Sequence, residues 1–262
     1  MLAEIVANAP LFFLVAARAL ALIETAPLLS SDSIPQVAKI ALAGFAAFCA
    51  FPSAPAVLYD VPPYSMEFVA LAAGEAIIGV IIGFFLTVVY SAFSTAGQLF
   101  SLQMGFGASE TFDPLAQIEN PLMGQYLNLV AMLTFLSVGG FRTLFLGGFQ
   151  RSLESINAFT LISARSEFMT ILLAGLTRLF IDSIIISMPI LGTLFLVSVT
   201  MGLLSKAAPQ MNLLTEGFPL SITVAFSLLI ATMPFLIESF ARVIEAGFFA
   251  MEGLLARSGG GI

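Results

Sequence analysis

Arg18, Glu24, Glu75, Arg142, Arg178, Asp182, Glu238, Arg242 and Glu245 interrupt apolar sequence, and they hold most of this chain's capacity for chemistry. A charge at the centre of a spanning helix costs about 2.5–3.5 kcal/mol on insertion scales, so it must face a partner or a water-filled cavity. Two pairs stand four residues apart, Arg178 with Asp182 and Glu238 with Arg242. That spacing brings each pair to one helix face as a candidate ion pair. Local neutralisation is one reading; docking to a neighbouring subunit or lining a conduit is the other. Neither pair has the layout of a proton relay. Histidine is absent, which removes His-based triads, His general bases and the commonest metal ligand. No Gly-x-Ser-x-Gly elbow and no paired catalytic aspartates in polar motifs are found. The sequence therefore argues against an enzyme and calls for no cofactor or metal.

A second feature is a glycine-broken polar run with spaced aromatics, Leu102-Gln-Met-Gly-Phe-Gly-Ala-Ser-Glu-Thr-Phe-Asp-Pro114, set between long apolar stretches. Irregular backbone near hydrocarbon is tolerated where protein buries it or where it lines a cavity. The run reads as the working part of a pore or gate. Met104, Gly105, Phe106, Gly107, Glu110, Phe112, Asp113 and Pro114 are its candidate residues. Met104, Phe106 and Phe112 are the best suited to form a soft seal, since methionine adapts to irregular shapes and apolar constrictions gate by excluding water.

These residues must be positioned by a chain of 262 residues that is 59% hydrophobic and 10% charged, with a mean hydropathy of +1.05. Soluble domains carry about 25% charged residues, so this chain belongs in a bilayer or an apolar assembly. The net charge of −7 and the scattering of nine Lys and Arg give nucleic-acid binding no electrostatic support. No linker divides the chain, so residues 1–262 read as one unit with a flexible tail over 258–262. The N-terminus lacks the basic region of a cleavable signal, so the first apolar segment is expected to be retained.

Six apolar stretches emerge, roughly 9–29, 37–58, 67–103, 122–149, 168–204 and 217–255. Each reaches the roughly 20 residues that a spanning helix needs. Three are far longer, so those helices must bend or extend beyond the bilayer. Pro189 and Pro234 interrupt the fifth and sixth stretches, and proline removes an intrahelical bond, so broken helices or helical hairpins are expected there. Lys39 and Lys206 fall on one side of a simple six-span arrangement and Arg151 and Arg165 on the other, with Arg257 in the tail. The positive-inside rule therefore gives no clear orientation. In the last stretch Glu238, Arg242, Glu245 and Glu252 share one face, opposite Phe240, Ile244, Phe248 and Met251, which predicts an amphipathic helix. Gly79 and Gly83 form Gly-x-x-x-Gly and predict a close helix crossing. Cys49, the single cysteine, reads as a small buried hydrophobe.

Three segments carry a family resemblance. They are Ala26-Pro-Leu-Leu-Ser-Ser-Asp-Ser-Ile-Pro35 with Val37-Ala-Lys-Ile-Ala-Leu-Ala43; Ala96-Gly-Gln-Leu-Phe-Ser-Leu-Gln-Met-Gly105 running to Asp113-Pro114; and Gly202-Leu-Leu-Ser-Lys-Ala-Ala-Pro-Gln-Met211 with Glu216-Gly-Phe-Pro-Leu220. In these segments, their order, the length and the hydropathy, the chain resembles the FliR/SctT family of type III export-gate subunits. The resemblance implies an all-α fold of long bent helices and helical hairpins that assembles into a helical spire with partner subunits. It implies FliP and FliQ as partners, FlhB as a further one, and unfolded flagellar proteins as transient cargo in a central conduit. It places the chain in the bacterial inner membrane, at the export apparatus of the flagellar basal body. It also implies that the loop over about 105–114 acts as a plug. Phe106 and Phe112 stand near the two ends of that loop with Glu110 between them, a departure from the family's deeper aromatics. The Lys206–Met211 run and the Phe-Pro-Leu segment favour the flagellar branch over the equivalent SctT subunit of a virulence system. A secondary transporter is the alternative of another class; it should show internal pseudo-symmetry, and no convincing repeat is present.

Overall fold

The computed structural model describes residues 2–31, 33–54, 65–105, 122–159, 165–208 and 213–259. Among them every regular element is helical. In chain order these are α1 (Leu2–Ala7), α2 (Ala9–Thr25), α3 (Gln36–Ala50), α4 (Met66–Met104), α5 (Leu122–Ser137), α6 (Gly140–Ser155), α7 (Arg165–Ala207) and α8 (Leu213–Gly259). The middle of α6, Thr143–Gln150, is wound as a π-helix. Four segments are long and apolar enough to cross a membrane: Gln36–Ser53, Met66–Met104, Leu172–Ala207 and Gly217–Gly253. Leu122–Ser137 and Gly140–Ser155 make a fifth if the broken pair is counted as one span.

The ends of these helices follow local chemistry. Pro10 lies in the first turn of α2, where its missing N–H would have had no partner anyway. The Ser65 hydroxyl accepts the Phe68 N–H at 3.1 Å and caps α4. α4 stops at Gly105, whose φ of +89° suits a residue without Cβ.

Two expectations from the sequence are corrected. Pro189 and Pro234, together with Pro219, sit inside α7 and α8, which run as single helices of 43 and 47 residues rather than as broken helices or hairpins. One interior proline costs about 3 kcal/mol. A break would strip four N–H and four C=O groups of their partners, and in apolar surroundings each costs several kcal/mol. Continuing the helix is the cheaper solution. The fourth stretch, by contrast, is not one helix. It breaks at Gly139, whose φ is +70° and whose N–H returns to Leu136 O at 3.1 Å. The Gly139-Gly140 pair is the signal for this break.

The chain packs as two units. The first comprises Met1–Val89, Leu136–Leu176 and Ile244–Ile262. Here α2 crosses α4 at Gly79 and Gly83, where an added Cβ would overlap Arg18 O and Thr25 Oγ1 respectively. The Thr87 hydroxyl donates to Thr25 O at 2.8 Å beside this crossing. Leu22, Ile23, Ile78, Ile82, Leu144 and Phe149 fill the interior, and Gly148 lets Met251 of α8 approach α6.

The second unit comprises Tyr90–Phe135 and Thr177–Val243. Its centre is aromatic. The rings of Phe93 and Phe240 lie 4.3 Å apart, and Tyr90 meets Phe93 and Phe135 edge-on at 6.1 and 5.7 Å. Gly97 and Gly124 bring α4 and α5 into backbone contact.

The amphipathic reading of the last stretch matches the structure. Phe240, Ile244, Phe248 and Met251 are buried, while Glu238, Arg242 and Glu245 are exposed. Cys49 is a third correction. It is exposed rather than buried, on a face of α3 that also leaves Val37 and Phe45 exposed.

Candidate functional site

Of the predicted loop residues, Met104 and Gly105 are described; Phe106, Gly107, Glu110, Phe112, Asp113 and Pro114 lie outside the described residues. Met104 is completely buried. Gly105 donates its N–H to Leu102 O at 3.2 Å and turns the chain out of α4. An added Cβ at Gly105 would run into the ring of Phe218, so the root of the loop rests against the start of α8. Two of the segments that carry the family resemblance meet at this contact, one ending at Gly105 and one holding Phe218. Sequence reasoning met Phe218 only within the Glu216–Leu220 segment that carries the resemblance and gave it no role beside the loop.

The candidate ion pairs differ from each other. Arg178 Nε lies 3.5 Å from Asp182 Oδ2 across one turn of α7. Arg242 instead donates to Ser239 Oγ at 3.2 Å, and among the described residues no ion pair joins it to Glu238.

The strongest polar constellation pairs charges that the sequence could not match, because they stand 57 residues apart. Arg18 on α2 and Glu75 on α4 are both buried, and Arg18 Nε and Nη2 each lie 2.6 Å from Glu75 Oε2. The same guanidinium donates to Ser152 Oγ at 3.0 Å and to Ile156 O at 2.8 Å. Its planar fork thus joins three elements, a role for which lysine lacks the geometry. Lys39 on α3 repeats the pattern on a smaller scale, reaching Glu24 Oε2 at 3.1 Å and Ser30 O at 3.2 Å. These groups neutralise one another and fix helices; they carry no arrangement for bond-making chemistry. Among the described residues no three Cys, Asp or Glu side chains cluster as metal ligands.

Comparison with known proteins points one way. A family model described as bacterial export proteins, family 1, matches residues 9–247. The flagellar biosynthetic protein FliR of Escherichia coli K12 is 33% identical over 250 residues, covering 91% of this chain and 90% of that protein. FliR of Bacillus subtilis 168 is 30% identical over 256 residues, 95% of this chain and 96% of the relative. FliR of Borreliella burgdorferi is 32% identical over 191 residues, 72% and 71% of the two chains.

Proposed function

This chain belongs to the family of bacterial export proteins, family 1, and from that membership we propose that it is a core subunit of the flagellar type III export gate. In this reading it joins FliP and FliQ, with FlhB as a further neighbour, in the bacterial inner membrane at the flagellar basal body. Together they form a conduit for unfolded flagellar proteins, and the loop from Gly105 to Pro114 plugs it. The observation that carries the proposal is similarity over nine-tenths or more of the chain to relatives named as flagellar biosynthetic proteins.

The exposed surface supports a life in an assembly. Val37, Ile40 and Phe45 on α3 and Phe180, Ile185 and Phe195 on α7 are large apolar side chains left exposed. Lipid or partner helices must cover surface of this kind. The helices α4, α7 and α8 hold 39, 43 and 47 residues. At 1.5 Å per residue that is roughly 58 to 70 Å, about twice the hydrocarbon thickness of a bilayer. Such lengths suit a structure that stands partly outside the bilayer better than a simple spanning bundle.

The test is a mild-detergent pull-down of the chain co-expressed with FliP-like and FliQ-like neighbours, read by native mass spectrometry. A discrete complex containing all three is the expected result, and its mass gives the stoichiometry. A lone monomer or homodimer under conditions that keep the neighbours intact would overturn the proposal.

A further inference from the structure

The π-helical centre of α6 does something that an α-helix of the same sequence would not. Arg142 and Arg151 are nine residues apart. In an α-helix nine residues make about two and a half turns, which sets the two side chains on opposite faces. A π-helix, with its wider i→i+5 bonding at roughly 4.4 residues per turn, covers nine residues in about two turns. The winding over Thr143–Gln150 therefore brings both arginines to one side. They line the same open cavity of about 390 Å³, with Thr143, Gly147 and Glu252. Arg151 pairs with Glu252 at 3.2 Å. Arg142 is exposed and has no ion pair among the described residues. The site thus keeps an excess of positive charge on a chain whose net charge is −7.

Next to it lies a second cavity of opposite character. Leu42, Phe45 and Cys49 of α3 face Phe145, Leu146 and Phe149 of α6 across an apolar groove of about 340 Å³. Leu146 lines both cavities. A cationic site adjoining an apolar groove, on helices of membrane character, complements one kind of molecule. We infer that this surface binds an anionic phospholipid, with its phosphate held by Arg142 and Arg151 and an acyl chain laid along the α3–α6 groove. A partner helix is a poorer fit. An apolar helix laid on the groove leaves Arg142 unanswered. Basic pockets between membrane helices are suited to anionic headgroups.

The inference rests on the membrane character of the chain and not on its role in export. Its test uses the full-length protein in mild detergent, with phosphatidylglycerol and phosphatidylcholine of equal chain length at equal concentration. Native mass spectrometry should show phosphatidylglycerol retained roughly tenfold more. The R142Q/R151Q variant should lose that preference. E252Q, which removes the carboxylate partner of Arg151 but neither arginine, should keep or increase it. Cys49, the chain's single cysteine, provides the second readout. A bimane attached there should be quenched more by phosphatidylglycerol brominated on its acyl chains than by brominated phosphatidylcholine. Equal retention of the two lipids by the unaltered protein would overturn the proposal, and so would a preference that survives R142Q/R151Q. Headgroup selectivity without selective quenching at Cys49 would reject the groove as the acyl site.

Discussion

Arg18 shows how a charge survives in apolar surroundings. Its nitrogens reach Glu75, Ser152 and Ile156 O, and it is wholly shielded from solvent. Breaking such a pair from one side leaves an uncompensated buried charge and costs about 3–5 kcal/mol, whereas replacing both members by apolar residues of similar volume is often close to neutral. R18M and E75M should each lower thermal stability sharply in detergent, and R18M/E75M should recover most of the loss. Additive losses in the double variant would mean that the two groups act through separate partners. The Arg178–Asp182 pair offers a contrast at the same scale. Arg178 is 67% exposed and Asp182 17%, so water screens the pair from the arginine side, and R178Q should cost much less stability than R18M or E75M. The sequence marked all four residues as anomalous but matched only Arg178 with Asp182. Spacing of four residues is visible along a chain, while a contact between α2 and α4 exists only after folding.

At the scale of the elements, the apolar stretches located α2, α4, α7 and α8 to within four residues and the start of α3 to within one, because a helix in apolar surroundings must hold a long uncharged run. What stayed hidden was the winding and continuity of those runs. Pro189 and Pro234 suggested breaks that the cost of exposed backbone forbids, and Gly139 made a break where the hydropathy is unbroken. The π-helix over Thr143–Gln150 has only Gly147-Gly148 as its sequence mark, a pair that is equally compatible with close packing. The Gly-x-x-x-Gly motif was read correctly, and its energetic weight can be measured. Gly79 packs on the backbone at Arg18 and Leu22, which cannot give way as a flexible side chain can. G79V should therefore force α2 and α4 apart at a cost of about 1–3 kcal/mol or more, read as a lowered unfolding temperature. At Gly44 nothing lies within 4 Å of an added Cβ, so G44A, which also raises helix propensity, should be neutral or mildly stabilising. Equal losses in both variants would show that the crossing at Gly79 is not the cause.

For the whole molecule, the decisive question is what the loop after Gly105 does once the chain is assembled. The structure fixes the start of that loop. Met104 is locked in the packing, and the positive φ of Gly105 aims the chain away from α4 beside Phe218. A loop anchored so firmly at its root suits a plug that must hold its place against cargo, because a seal works only if its fixed end does not yield. A deletion of Phe106 to Phe112 spares Met104, Gly105 and Phe218. That deletion should therefore give an export complex of normal mass and yield whose closed state leaks ions, measured as conductance in proteoliposomes. Unchanged conductance with normal assembly would remove the plug assignment and leave the subunit role standing. Failure of the complex to form would instead make the loop an assembly element. G105V separates the two further: it keeps every loop residue but introduces a branched side chain at a positive φ, against Phe218. If sealing depends on the root, G105V should leak as the deletion does, and shortening the ring in G105V/F218A should restore part of the closure.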